Sequence, residues 1–88
     1  MARRDEWRPV LDAEVKRWSV LSAAQLISEL PDVKVYEVEF ESKHYQVEVE
    51  LLENAPEYLN VAVSVDDGTL PASIVPLSYN FIRKKGDS

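Results

Sequence analysis

Between Tyr36 and Leu51 the hydrophobic period of the chain is two, in two successive runs. Tyr36, Val38 and Phe40 alternate with Glu37, Glu39 and Glu41. After Ser42-Lys43, Tyr45, Val47, Val49 and Leu51 alternate with Gln46, Glu48 and Glu50. Successive residues of an extended chain point to opposite faces, so each run predicts a strand with one apolar and one polar side. Two such runs joined by a short polar break predict a β-hairpin. A two-residue turn at Ser42-Lys43 pairs Phe40 with Tyr45, Val38 with Val47 and Tyr36 with Val49, and gathers every apolar residue on one face. A one-residue slip would put the two apolar sets on opposite faces, so the parity of this register is strongly specified. The break lacks the Asn-Gly or Asp-Gly chemistry of tight hairpin turns, which leaves room for another loop of the same parity.

The alternation continues beyond a turn at Glu53-Asn54-Ala55-Pro56-Glu57. Leu59, Val61, Val63 and Val65 alternate with Asn60, Ala62 and Ser64, which predicts a third strand. Asp66-Asp67-Gly68 ends it, because Gly68 can adopt the positive φ of a turn. Residues 69–76 are punctuated by proline and read as irregular. Leu77, Tyr79 and Phe81 then alternate with Ser78, Asn80 and Ile82, predicting a fourth strand at the sheet edge.

Before Tyr36 the period is helical. Trp7, Leu11, Val15 and Trp18 lie on one stripe, with Arg8, Asp12, Glu14, Lys16 and Arg17 mostly off it. Pro9 is expected in the first turn, where its missing N–H leaves no bond unmade. Ser22-Ala23-Ala24-Gln25 has capping-box form and opens a second helix, from about Ala23 to Leu30. Ala23, Leu26, Ile27 and Leu30 form its apolar face, and Pro31 stops it. One bent helix would give the same pattern as two.

Segregated helices followed by hairpin-linked strands predict a two-layer α+β domain. The expected architecture is an N-terminal helix or helix pair on one face of an antiparallel three- to four-stranded meander. At 88 residues the chain suits one domain, taken as residues 1–85, with 86–88 as a frayed tail. A domain of this size hides only roughly 60–65% of its unfolded surface, which leaves little room for a deep pocket.

Composition narrows the function classes. No cysteine is present, which excludes disulfides, thiolate metal sites and thiol nucleophiles. No apolar run has signal-peptide length or approaches the roughly 20 residues that span a membrane, so a cytoplasmic protein without membrane contact is expected. The net charge of −6 repels nucleic acid on average, and the basic clusters Arg3-Arg4-Arg8 and Arg83-Lys84-Lys85 lie near the termini. The single histidine, His44, sits at the hairpin tip opposite Glu41, with no nucleophile beside it. None of the common nucleotide, phosphate, zinc-protease or hydrolase motifs occurs. The expectation is a protein that is not an enzyme and carries no cofactor.

The glutamates Glu37, Glu39, Glu48 and Glu50 fall on the outer sheet face, with Glu37 opposite Glu48 in the expected register. Calcium takes six to eight oxygens wrapped around it, which a flat strand pair does not supply, so no specific metal site is expected. Charges on that face keep the hairpin from aggregating through its edges. They are unevenly spread, however. Extending the register pairs Leu52 with Tyr58 and with Val33, so Val33, Val35, Leu52 and Tyr58 gather at one end, beside the small residues Asn60 and Ala62. Uncharged positions next to an apolar cluster suggest a covered surface. The candidate cover is Leu70 to Pro76, the N-terminus, or a second copy of the chain. Two functions follow. One is a non-enzymatic interaction domain that binds itself, as a homodimer, or a protein partner through this patch. The other is an acidic inhibitor or immunity-type protein that docks the glutamate face on a basic partner site.

Overall fold

The hairpin forms, with its turn one residue earlier than expected. The computed structural model describes residues 4–68 and 77–86. Strands β1 (Lys34–Phe40) and β2 (Lys43–Asn54) pair antiparallel, with Phe40 against Lys43, Val38 against Tyr45 and Tyr36 against Val47. The turn is therefore Glu41-Ser42. Both residues have positive φ, 51° and 69°, which is what a type I′ turn requires and what matches the twist of the flanking strands. The favoured turn geometry outweighs the absence of glycine. Parity is kept, so Tyr36, Val38, Tyr45, Val47 and Val49 still share a face. The individual pairs change: Glu37 faces Gln46, not Glu48, and His44 faces Glu39, not Glu41.

The second hairpin shows how the chain corrects a parity error. Strand β3 (Tyr58–Asp66) pairs with β2, and Ala55 N–H donates to the Tyr58 carbonyl at 2.9 Å around a tight Pro56-Glu57 tip. Proline suits the second position of such a turn. That turn pairs Asn54 with Leu59 and Glu53 with Asn60. Regular alternation from there would send Leu51 to the polar face. A bulge between Leu51 and Glu53 takes up one extra residue and restores the pairs Leu51–Val61 and Val49–Val63. Leu52 is the extra residue. It is therefore not paired with Tyr58, and Val49 does not face Val61.

The fourth strand, β4 (Leu77–Lys84), pairs with β3 from Val65–Leu77 to Tyr58–Lys84. The sheet is a meander in the order β1-β2-β3-β4. Gly68, with φ 81°, ends β3 and donates its N–H to Asp66 Oδ1 at 2.7 Å, an Asx turn. Leu70 to Pro76, considered above as a cover for the outer face, lies outside the described residues.

Among the described residues two separate helices cover one face. Helix α1 (Arg4–Ser19) begins earlier than expected, which puts Pro9 inside it rather than in its first turn. Its buried stripe is Trp7, Val10, Leu11, Glu14 and Trp18. Val15 lies at the margin, and Glu14, expected off the stripe, is on it. Helix α2 (Ala23–Glu29) carries the predicted capping box: Gln25 N–H donates to Ser22 Oγ at 3.1 Å, and Ser22 N–H to Gln25 Oε1 at 2.9 Å. Ala23, Leu26 and Leu30 are buried, while Ile27 is exposed. These side chains close over Tyr45, Val47, Val49, Leu59, Val61, Val63 and Val65 of the two central strands in one core. This is the two-layer α+β arrangement.

Candidate functional site

With both helices on one side, the other face of the sheet has no second layer among the described residues. Its composition follows from the registers. On β1 and β2 it presents Val35, Glu37 and Glu39 beside Glu48, Gln46 and His44, all exposed. On β3 and β4 it presents Asn60, Ala62 and Ser64 beside Ile82, Asn80 and Ser78. The face is thus divided along the strands. One half is acidic, and the other has no charge until Asp66 and Lys84 at its ends.

The candidate patch residues are only partly gathered. Val33, Val35 and Leu52 are exposed. Val35 faces Glu48, and Leu52 sits on the bulge. Ala62 is half-buried between Glu50 and Asn80. Tyr58 lies across the sheet beside Lys84, and its hydroxyl donates to Glu53 Oε1 at 3.1 Å. That bond to a carboxylate raises the Tyr58 pKa. Asn60 stands between Glu53 and Ile82 with its Oδ1 occluded and without a hydrogen-bond partner. Glu37, Glu39, Glu48 and Glu50 each face an uncharged residue or His44 across the β1–β2 and β2–β3 ladders, so no two carboxylates are directly opposed. Among the described residues no three His, Asp or Glu side chains come together as a metal-binding group.

A second feature escaped the sequence pattern. The last turn of α1, α2 and the start of β1 border an open cleft of about 670 Å³, lined by Arg17, Trp18, Gln25, Glu29, Lys34 and Tyr36 among others. In its wall the Trp18 indole N–H donates to the Tyr36 hydroxyl at 2.8 Å, and that hydroxyl donates to Glu14 Oε1 at 2.5 Å. Glu14 is only 8% exposed. Burial, reinforced by the Glu14 bond, pushes the Tyr36 phenol up to about 12, with the Trp18 bond and, less strongly, Arg17 pulling the other way. The cations flanking the cleft already have partners. Arg17 lies 3.8 Å from Glu14 and 5.7 Å from the centre of the Tyr36 ring. Lys34 bonds Glu29 at 3.0 Å and lies 5.8 Å from the Trp18 ring. Two acids offset two cations, and the phenol holds its proton firmly. The cluster therefore acts as a polar clasp between α1 and β1. Its signal in the sequence was Glu14 itself, four residues after Val10 and four before Trp18 on a stripe of core residues.

Comparison with known proteins finds no matching family model, no matching curated protein and no matching solved structure.

Proposed function

We propose that this protein is a small, non-enzymatic interaction domain that binds a protein partner, or another copy of itself, through the outer face of its sheet. The observation that carries this reading is the division of that face. A face kept in water needs charge, and the β1–β2 half has it. The β3–β4 half offers Asn60, Ala62, Ser64, Ser78, Asn80 and Ile82, which resembles the charge-depleted centre of an interface with a polar rim beside it. Val35 and Leu52 border that rim. The test is capture of binding proteins on immobilised wild type and on Ala62→Arg. A specific partner kept by wild type and lost by the folded variant supports the reading. Equal retention on both contradicts it.

The acidic half supports a second reading, an inhibitor or immunity-type protein whose Glu37, Glu39, Glu48 and Glu50 occupy a basic site. Salt separates the two. Exposed charges are screened beyond roughly 10 Å at 0.1 M salt, so an acid-driven complex dissociates as salt rises and a complex centred on Ala62 persists.

A further inference from the structure

The two edges of the sheet are guarded differently. Edge strands expose a row of unpaired backbone groups, and folded proteins blunt them with charge, bulges or covering segments. β1 carries Lys34, Glu37 and Glu39 among its seven residues. β4 carries no charge from Leu77 to Ile82; only Arg83 and Lys84 follow, at its end. Among the described residues no strand lies beyond it. It also exposes a large apolar side chain on each face. Tyr79 is 54% exposed on the helix side, although its cross-strand neighbour Val63 is fully buried there, and Ile82 is 57% exposed on the outer side. Helix α1 packs on both β3 and β4, with Leu77 and Phe81 against the core, but it leaves Tyr79 between them uncovered. An open groove of about 380 Å³ separates Tyr79 from α1 and is bordered by Arg8, Asp12 and Lys16, a helical stripe of alternating sign.

We infer that β4 pairs with β4 of a second copy, in antiparallel register about a two-fold axis through Asn80, to make one continuous eight-stranded sheet. This goes beyond the outer-face reading and uses a different surface. The occupant is a second copy because the edge is self-complementary. Opposed residues of antiparallel strands share a face. Centring on Asn80 sets Tyr79 against Phe81 of the partner subunit and Ile82 against Ser78 of the partner subunit, so aromatic meets aromatic and no two charges meet. The two Lys84 side chains then lie roughly 27 Å apart at about 3.4 Å per residue. Moving the centre to Phe81 would set Tyr79 against a cation instead. The two α1 stripes face each other above the junction, and Asp12 of each copy can meet Arg8 or Lys16 of the other. Growth stops at two copies, because both free ends of the joined sheet are the charged β1 edge. The closed two-fold pair is also the commonest form of assembly.

Light scattering after size-exclusion, from micromolar to millimolar protein, tests this on wild type, on Tyr79→Lys with Ile82→Lys, and on Ala62→Arg. The expected result is a wild-type dimer, an intact dimer for Ala62→Arg, and a halved mass for the β4 variant with unchanged circular dichroism. A monomeric wild type at millimolar concentration overturns the inference, as do open-ended oligomers. A dimer broken by Ala62→Arg but not by the β4 changes also overturns it, and assigns self-association to the outer face. Hydrogen exchange of wild type supplies a readout that needs no variant. Protection of the β4 amides should rise with concentration while that of the β1 amides does not. Concentration-independent exchange at β4 overturns the proposal even if the variant fails to fold.

Discussion

Glu14 shows how one residue can contradict a pattern and still fit the physics. A charged group in a core is tolerated only when its bonds are made inside. Glu14 receives the Tyr36 hydroxyl, which itself receives the Trp18 indole N–H. Tyr36→Phe removes both bonds at once, leaving a buried carboxylate without its donor and an indole N–H without its acceptor. We expect a loss of about 2 kcal/mol, and a melting temperature lower by roughly 10 °C. The same phenol should give stability an alkaline limit. Folded Tyr36 keeps its proton up to about 12, whereas an unfolded tyrosine releases it at about 10. Between those values the unfolded chain holds fewer protons than the folded one, so stability is complete below pH 10 and falls as pH rises through the window. Chemical denaturation from pH 9 to 12 checks this, and the part due to Tyr36 should vanish in Tyr36→Phe. An undiminished slope in the variant would assign the loss to other groups.

At the scale of elements, hydrophobic period proved the reliable signal and turn chemistry the weak one. Alternation located the four described strands and their helix-facing sides, because a strand that slips by one residue exposes its whole apolar set. It could not choose between registers of equal parity, so the first hairpin is displaced from expectation. The positive φ values of Glu41 and Ser42 leave no mark in their residue types. Replacing Ser42 with glycine should relieve that conformation and raise stability by about 1 kcal/mol, seen as a melting temperature higher by roughly 4–8 °C. No gain would mean that Ser42 is not held in the left-handed region in solution. The bulge at Leu52 was likewise hidden. It follows only once the Pro56-Glu57 tip is known to set the wrong parity for Leu51. A sharper check of the inside–outside assignment uses neighbours on β2. Val47→Asp puts an unpaired charge into a site with no solvent exposure and should unfold a domain with about 5–10 kcal/mol of stability. Glu48→Gln, exposed and facing Val35 and Ser64, should melt within a degree or two of wild type.

The molecule is a thin slab, 43 × 26 × 18 Å in its principal extents, and among the described residues its helices lie on one side of the sheet. That one-sidedness was legible from the order of elements, since two short helices cannot cover both faces of a four-stranded sheet. The candidate patch was less legible, because it rested on cross-strand pairs. The bulge separates Leu52 from Tyr58 and the shifted first hairpin moves Val35 beside Glu48, while Asn60 and Ala62 keep their place at the centre of the uncharged half. Asn60 carries a further expectation. Its occluded Oδ1 makes no hydrogen bond, so Asn60→Val should raise the melting temperature, by a few degrees if about 1 kcal/mol is regained. A lower melting temperature would mean that the amide is bonded in solution. Docking through the outer face of the sheet has a direct test. The direct measurement is a nuclear magnetic resonance titration of labelled protein with the partner captured on wild type. Amide shifts should concentrate on Val35, Leu52, Asn60, Ala62 and Ser64, with the backs of α1 and α2 unmoved. Shifts confined to the helices, or to the cleft between Arg17 and Lys34, would contradict it.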